Sequence, residues 1–173
     1  TSTVTLTARD AYNNVLTSGG LSISFARTGG TSSGTFGVVS DNLNGTYSAI
    51  FTGTTAGSPT TITGNINGTP VSSTLPTVTV LPGPFSLAQS QLTVGNATVP
   101  SGTLTTLTLR ARDSFGNNLT SGGLTVVFTR TGGTSNGSIS ATTDNGDGTY
   151  SANFQGTTAG TANGCSSSWP WPS

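Results

Sequence analysis

Apolar and polar residues alternate with a period of two along most of this chain. Val4, Leu6 and Ala8 alternate with Thr3, Thr5 and Thr7, and Leu107, Leu109 and Ala111 alternate with Thr106, Thr108 and Arg110. Alternation of this kind gives a strand one apolar face and one wet face. A second strand follows in each half, with Leu21, Ile23 and Phe25, or Leu124, Val126 and Phe128, as its inward set. A short third strand places Phe36 and Val38, or Ile139 and Ala141, inward, and a fourth carries Tyr47, Ala49 and Phe51, or Tyr150, Ala152 and Phe154. No stretch shows the helical period.

The strands are separated by turn chemistry. Asp41-Asn42-Leu43-Asn44-Gly45-Thr46-Tyr47 and Asp144-Asn145-Gly146-Asp147-Gly148-Thr149-Tyr150 each combine Asx residues with glycines able to take positive φ, then open directly into a strand. Residues 1–60 align with 104–163 without a gap at an offset of 103, and 34 of the 60 positions are identical. The chain is therefore an internal duplication, which fixes the period of the fold.

Between the two copies lies a segment that occurs once, about 61–103. It predicts a strand from Thr61 to Ile66, a turn at Asn67-Gly68 and a last strand ending Thr77-Val78-Thr79-Val80. Pro82-Gly83-Pro84 cannot continue a ladder and predicts a short stiff linker. The expected domains are 1–81 and 82–163, with 164–173 as a Cys/Ser/Trp/Pro tail. Leu87, Leu92, Val94 and Val99 are expected to supply a first strand of the second domain that the first domain lacks. The second domain lacks its last strands, which the tail replaces. The predicted class is all-β: two tandem immunoglobulin-like β-sandwiches, both incomplete at the chain ends.

Composition narrows the function. Charged residues make up 6% of the chain, five Arg against five Asp, with neither His nor Met, and Ser, Thr and Gly take the surface that charges usually occupy. Without a basic patch, neither nucleic acid nor an anionic membrane is an expected partner. No apolar run approaches the roughly 18 residues of a membrane span, so no membrane insertion is expected in this segment. The absence of an initiator Met reads as a processed or excised piece. Cys165 is the single cysteine, which excludes an intrachain disulfide.

Acid–base and nucleophilic chemistry have little to draw on. There is no His, Glu or Lys, and the one thiol lies in a low-complexity stretch, so no enzyme, no catalytic residue and no cofactor are expected. Asp144-Asn145-Gly146-Asp147 offers closely spaced oxygens to calcium. It lacks the distant bidentate Glu of an EF-hand, and the first copy has Asn44 where the second has Asp147. We read both as turns whose Asx side chains accept backbone N–H groups, and assign no metal site. Five Asn-X-Ser/Thr sequons, at Asn44, Asn67, Asn96, Asn118 and Asn136, fall in predicted turns and are candidate glycosylation sites. Trp169-Pro170-Trp171-Pro172 reads as a polyproline-like end rather than a carbohydrate platform.

Arg-Asp-X-X-X-Asn followed by Ser-Gly-Gly, then the Asp-Asn-Gly-Asp-Gly-Thr-Tyr turn, Ala-Gly, and Ser72-Ser73-Thr74-Leu75-Pro76-Thr77-Val78-Thr79-Val80 resemble the filamin-type repeat and the invasin and intimin-like bacterial immunoglobulin repeats. The resemblance spans about residues 1–163. It implies a non-enzymatic extracellular or cell-surface repeat serving as stalk, filament or adhesin shaft, possessing open sheet edges through which copies of the chain could pair. The alternative it implies is a binding module that takes a host protein, matrix protein or glycan by sheet-edge augmentation. In filamins a partner strand docks between the third and fourth strands, which correspond loosely to Leu21–Arg27 with Thr35–Ser40 and Leu124–Arg130 with Ser138–Thr143.

Overall fold

The computed structural model describes residues 1–168, and the Trp169-Pro170-Trp171-Pro172 motif lies outside them. The chain divides into two compact units, Thr1–Leu81 and Pro82–Ser173. The described residues form fifteen β-strands and no helix, so none that is long and apolar enough to cross a membrane.

Unit 1 contains β1 (Ser2–Thr7), β2 (Ile23–Thr28), β3 (Ser33–Phe36), β4 (Ser40–Asp41), β5 (Thr46–Thr55), β6 (Thr60–Ile66), β7 (Thr69–Pro70) and β8 (Thr77–Val78). One sheet runs β1-β5-β3 with β4 also on β5; the other runs β2-β6-β7 with β8 also on β6. All pairings are antiparallel. The inward residues are those the alternation marks: Leu6, Ala8, Tyr47, Ala49, Phe51 and Ile62 are buried. A Cβ on Gly64 would stand 3.3 Å from Leu6 Cδ1, so the glycine of one sheet receives the leucine of the other.

Unit 2 contains β9 (Gln91–Val94), β10 (Leu104–Arg110), β11 (Val127–Thr131), β12 (Asn136–Ile139), β13 (Thr143–Asp144), β14 (Thr149–Thr158) and β15 (Gly164–Ser168). One sheet runs β12-β14-β10-β9 with β13 also on β14, and β11 pairs β15 in the other. Leu107, Leu109, Ala111, Val126, Phe128, Tyr150 and Ala152 form the buried core, with Leu92, Ile139 and Phe154 packed against it. β9 lies on the outer edge of β10, in register from Leu107↔Val94 to Arg110↔Gln91, and the matching edge of β1 carries no strand among the described residues. Of the residues expected in that strand, Leu87 and Val94 are exposed.

Two features depart from the sequence pattern. Gly164–Ser168, expected to be tail, is a strand. β11 pairs it from Val127↔Ser168 to Thr131↔Gly164, and the same register 103 residues earlier is Ser24↔Asn65 to Thr28↔Thr61, so β15 is the counterpart of β6. Backbone pairing needs no apolar side chains, which is why the repeat persists in the ladder after residue identity ends. The second departure is that Val38 is 93% exposed and Ala141 is exposed, although both were expected inward. Phe36 opposes Phe51 whereas Ser40 opposes Ser48, so one extra residue enters between β3 and β4 and turns the intervening side chains over. Val39, not Val38, packs on the core. Ile139↔Phe154 and Thr143↔Ser151 repeat that bulge in unit 2.

Candidate functional site

The chemistry-bearing side chains of both units gather in Asx turns. Asp41 Oδ1 accepts the Leu43 N–H at 2.9 Å and Oδ2 accepts the Gly20 N–H at 2.7 Å. Asp144 does the same, accepting from Gly146 at 2.9 Å and Gly123 at 2.7 Å. Each aspartate thus staples its own turn to the Ser-Gly-Gly connection. Beside it the tyrosine that ends the motif is buried, and its hydroxyl accepts a backbone N–H: Leu21 for Tyr47 and Leu124 for Tyr150, both at 3.1 Å.

The exchange of Asn44 for Asp147 leaves the turn unchanged. Thr46 donates its N–H (3.1 Å) and hydroxyl (2.7 Å) to Asn44 Oδ1, and Thr149 donates both groups to Asp147 Oδ1. The Thr149 hydroxyl and N–H, with Arg110 nearby, hold the Asp147 carboxyl below the usual carboxylate range. Both Asp144 carboxylate oxygens and Asp147 Oδ1 are engaged by N–H and O–H donors. Among the described residues no group of three or more His, Cys, Asp or Glu side chains stands together.

Asp10 and Asp113 close a second pair of turns. Asp10 Oδ1 accepts the N–H groups of Tyr12 and Asn14, and Oδ2 accepts the Asn14 amide. Those bonds, that from the Asn14 side chain foremost, lower its pKa. Asp113 repeats the pattern with Phe115 and Asn117 and adds a fourth donor, the Gly83 N–H at 2.9 Å. Burial pushes the Asp113 carboxyl up, yet the four hydrogen bonds outweigh it and hold the pKa below the ordinary value. Pro82-Gly83-Pro84 is thereby tied to unit 2 through Gly83.

The five sequon asparagines are exposed but do not all lie in turns. Asn44 and Asn67 do, with Asn67 at φ 49°, and Asn96 lies in a loop. Asn118 sits in a bridge to Arg112 and receives the Arg112 Nε at 3.0 Å, while Asn136 opens β12. The strands expected from the filamin pattern to flank a docked partner, β2 with β3 and β11 with β12, belong to different sheets in each unit.

A recess built from many elements lies in unit 2, a groove of about 680 Å³ lined among others by Phe154, Ser135, Gly156, Gly160, Asn163 and Cys165. It escaped the sequence reading because its lining residues come from several separated segments.

The family model for invasin, domain 3, matches residues 1–83 and 86–163. Among solved structures the chain is similar to FdeC, described as a broadly conserved Escherichia coli adhesin, at 30% identity and a TM-score of 0.55 over 91% of this chain and 51% of that one. It is similar to invasin, described as a bacterial integrin-binding protein, at 29% identity and a TM-score of 0.55 over 91% of this chain and 31% of that one. The chain therefore spans about half the length of the first and about a third of the second. No curated protein matches it. Of the two resemblances carried by its turn motifs, these findings select the bacterial one: the chain belongs to the invasin domain 3 family of immunoglobulin-like domains.

Proposed function

We propose that this chain is a non-enzymatic segment of an extracellular adhesin shaft, in which tandem immunoglobulin-like units set the reach of a binding end located elsewhere. The observation that carries this reading is the shared ladder of the two units, including the β11–β15 and β2–β6 registers where side-chain identity has been lost. Selection on a spacer preserves the backbone frame and leaves surface residues free. The low charge and the engagement of carboxylates in turns fit a passive surface better than a catalytic one. In this reading 1–81 and 82–163 are the repeating domains, and Pro82-Gly83-Pro84 restrains bending between them.

The test is direct binding of the purified chain to host cells, matrix proteins and glycan arrays. A shaft gives no saturable binding, whereas saturable binding to any of them replaces this reading with the sheet-edge binding module. Invasin is described as integrin-binding, which makes integrin the first partner to assay.

A second element of the proposal is pairing between copies, resting on the general capacity of a sheet edge to take a further strand. It predicts sedimentation that depends on concentration, and a chain that stays monomeric when concentrated removes it. Glycosylation is proposed at the exposed Asn44, Asn67, Asn96, Asn118 and Asn136. Peptide mass mapping of this segment from its natural source that finds every one of these asparagines unmodified would exclude it.

A further inference from the structure

We propose that Asn67 is a site of spontaneous backbone modification, at which the β6–β7 turn loses ammonia, closes to a succinimide and reopens as aspartate or isoaspartate. The inference stands apart from the shaft reading, since it concerns the chemistry of one turn and not the role of the array.

The attacking atom in this reaction is the backbone nitrogen of the residue after the asparagine, and glycine there puts no side chain in the way. The chain has five Asn-Gly pairs, at Asn44, Asn67, Asn136, Asn145 and Asn163. A reactive pair needs three things: a glycine N–H that is not spent on another acceptor, room for that peptide to turn, and a donor on the amide oxygen where negative charge develops. Four of the pairs lack at least one. The Gly146 N–H after Asn145 donates to Asp144 Oδ1 at 2.9 Å. Gly45 after Asn44 is buried, and a Cβ on it would sit 1.8 Å from the Leu16 carbonyl oxygen, so its peptide has no room to turn. Gly137 after Asn136 is held in the β12–β14 ladder opposite Gly156, and its N–H donates to Asn136 Oδ1 at 2.8 Å, which places the nitrogen against the amide oxygen and not its carbon. Asn163 has its Oδ1 buried without any donor, and its amide nitrogen is tied to the Ser135 carbonyl at 2.7 Å.

Asn67 has all three. It and Gly68 are both exposed, at φ 49° and 82°, in the two-residue turn between β6 and β7. A Cβ on Gly68 would meet nothing within 4 Å, and among the described residues the Gly68 N–H has no hydrogen-bond partner. Asn67 Oδ1 accepts the Ser22 N–H at 2.9 Å, which polarises the amide carbonyl. The strand beyond the turn is only Thr69–Pro70, so little has to open for the peptide to rotate. A base from solvent takes the Gly68 N–H proton and the nitrogen bonds to Asn67 Cγ, with the charge on Oδ1 facing Ser22. The Cγ–Nδ2 bond then breaks, and Nδ2 leaves as ammonia with a proton from solvent. Water opens the ring at either carbonyl. The sum is one amide and one water giving one carboxylate and one ammonium, with nothing oxidised or reduced.

The two products differ in what they do to unit 1. Opening that restores the Asn67–Gly68 peptide gives an aspartate whose carboxylate still accepts the Ser22 N–H. Opening at the other carbonyl gives isoaspartate, whose main chain runs through Cβ and is one atom longer. The Ile66↔Thr69 register cannot absorb that atom, so β7 parts from β6, and with it the Val71 N–H bond to the Gly64 carbonyl, 2.8 Å, beside the core on which Val71 packs. Either product takes the chain from a formal net charge of zero to one negative charge and erases the Asn67-Gly68-Thr69 sequon.

The test uses the full chain produced in a host that adds no glycan, incubated in mildly alkaline buffer at body temperature. Peptide mass mapping with isoaspartyl methylation follows all five sites. Asn67 is expected to convert first, about tenfold faster than Asn145, whose glycine must first give up a hydrogen bond to a carboxylate. In urea the five rates should converge, because only the fold separates them. The Ser22 and Val71 amides should lose protection from hydrogen exchange in the isoaspartate fraction, while Asn67→Asp keeps the Ser22 protection and the Tm of the parent chain. A faster conversion at any of the other four sites in the folded chain overturns the proposal. So does an Asn67 that leads by the same margin in urea, since its reactivity would then belong to the local sequence and not to the turn.

Discussion

At the scale of the residue, a few side chains that accept backbone N–H groups hold the turns together. Asp113 is 2% exposed and receives four donors, one of them from Gly83, while its counterpart Asp10 is exposed and receives three. Asp113→Ala strands those donors and is expected to cost about 3 kcal/mol in urea unfolding, with Asp10→Ala costing clearly less. Equal losses would show that the Gly83 tie is unimportant. The same bonds set the response to acid. Asp10, Asp113 and Asp147 all ionise at lower pH folded than unfolded, so below the ordinary carboxylate value the unfolded chain binds more protons. Their stabilisation is complete above about pH 4 and is lost as pH falls through the lowered folded values. The urea midpoint should hold steady from neutral pH to about pH 5 and drop below about pH 4, less steeply in Asp113→Asn. A midpoint unchanged at about pH 3 would contradict this assignment.

Glycine contributes at the same scale where the backbone leaves no choice. Gly45 and Gly148 have φ of 79°, and a Cβ on either would sit on the carbonyl oxygen of Leu16 or Leu119. Gly148→Ala combines left-handed strain with a backbone clash, and about 2 kcal/mol or more of destabilisation is expected from the denaturation midpoint. Gly146→Ala in the same turn shares the positive φ, 76°, but meets no atom within 4 Å, and should cost less. If the two cost the same, the close approach to Leu119 carries no energy.

At the scale of the element, matched aromatic rings of the two copies differ in burial. Phe51 is fully buried, whereas Phe154 is only partly buried. Phe51→Ala should cost about 4 kcal/mol, as for a fully buried ring, and Phe154→Ala roughly half as much, measured on each unit's own unfolding transition. This scale also shows what the sequence could reveal. The strands with alternating residues, β1, β5, β10 and β14, were legible because one face is buried and the other wet, and the Asx-Gly turns were legible because positive φ favours those residues, although Leu43 also takes it, at 61°. β15 was not. Gly164–Ser168 has no apolar alternation, and it is held through the backbone pairing to β11 with a Thr129–Ser166 hydroxyl contact at 2.8 Å. Val38 was misplaced for a related reason: a one-residue bulge reverses the faces, and no residue type announces it. The groove required knowing the register of β15.

At the scale of the whole molecule, the question raised by the Asp-rich turns is whether ions stiffen the array. Calcium binds through six to eight oxygens, and a turn of this length can contribute only those not already engaged. Asp144 spends one oxygen on Gly146 and the other on Gly123, and Asp147 Oδ1 accepts both Thr149 donors. In unit 1 the amide of Asn44 replaces the second carboxylate altogether. Ion binding through Asp144 would compete with the hydrogen bonds that tie the turn to the Ser-Gly-Gly connection, and with only five Asp in the chain there is no further acidic residue type to compensate. A ligand present at a hundred times its Kd adds about 2.7 kcal/mol, which for a unit of this size raises Tm by roughly ten degrees or more. Millimolar calcium should therefore leave Tm in place relative to a chelator control, by calorimetry on the intact chain. A rise of several degrees would mean that the turns open to the metal. The two units would then be stiffened by their environment rather than by packing and backbone pairing alone.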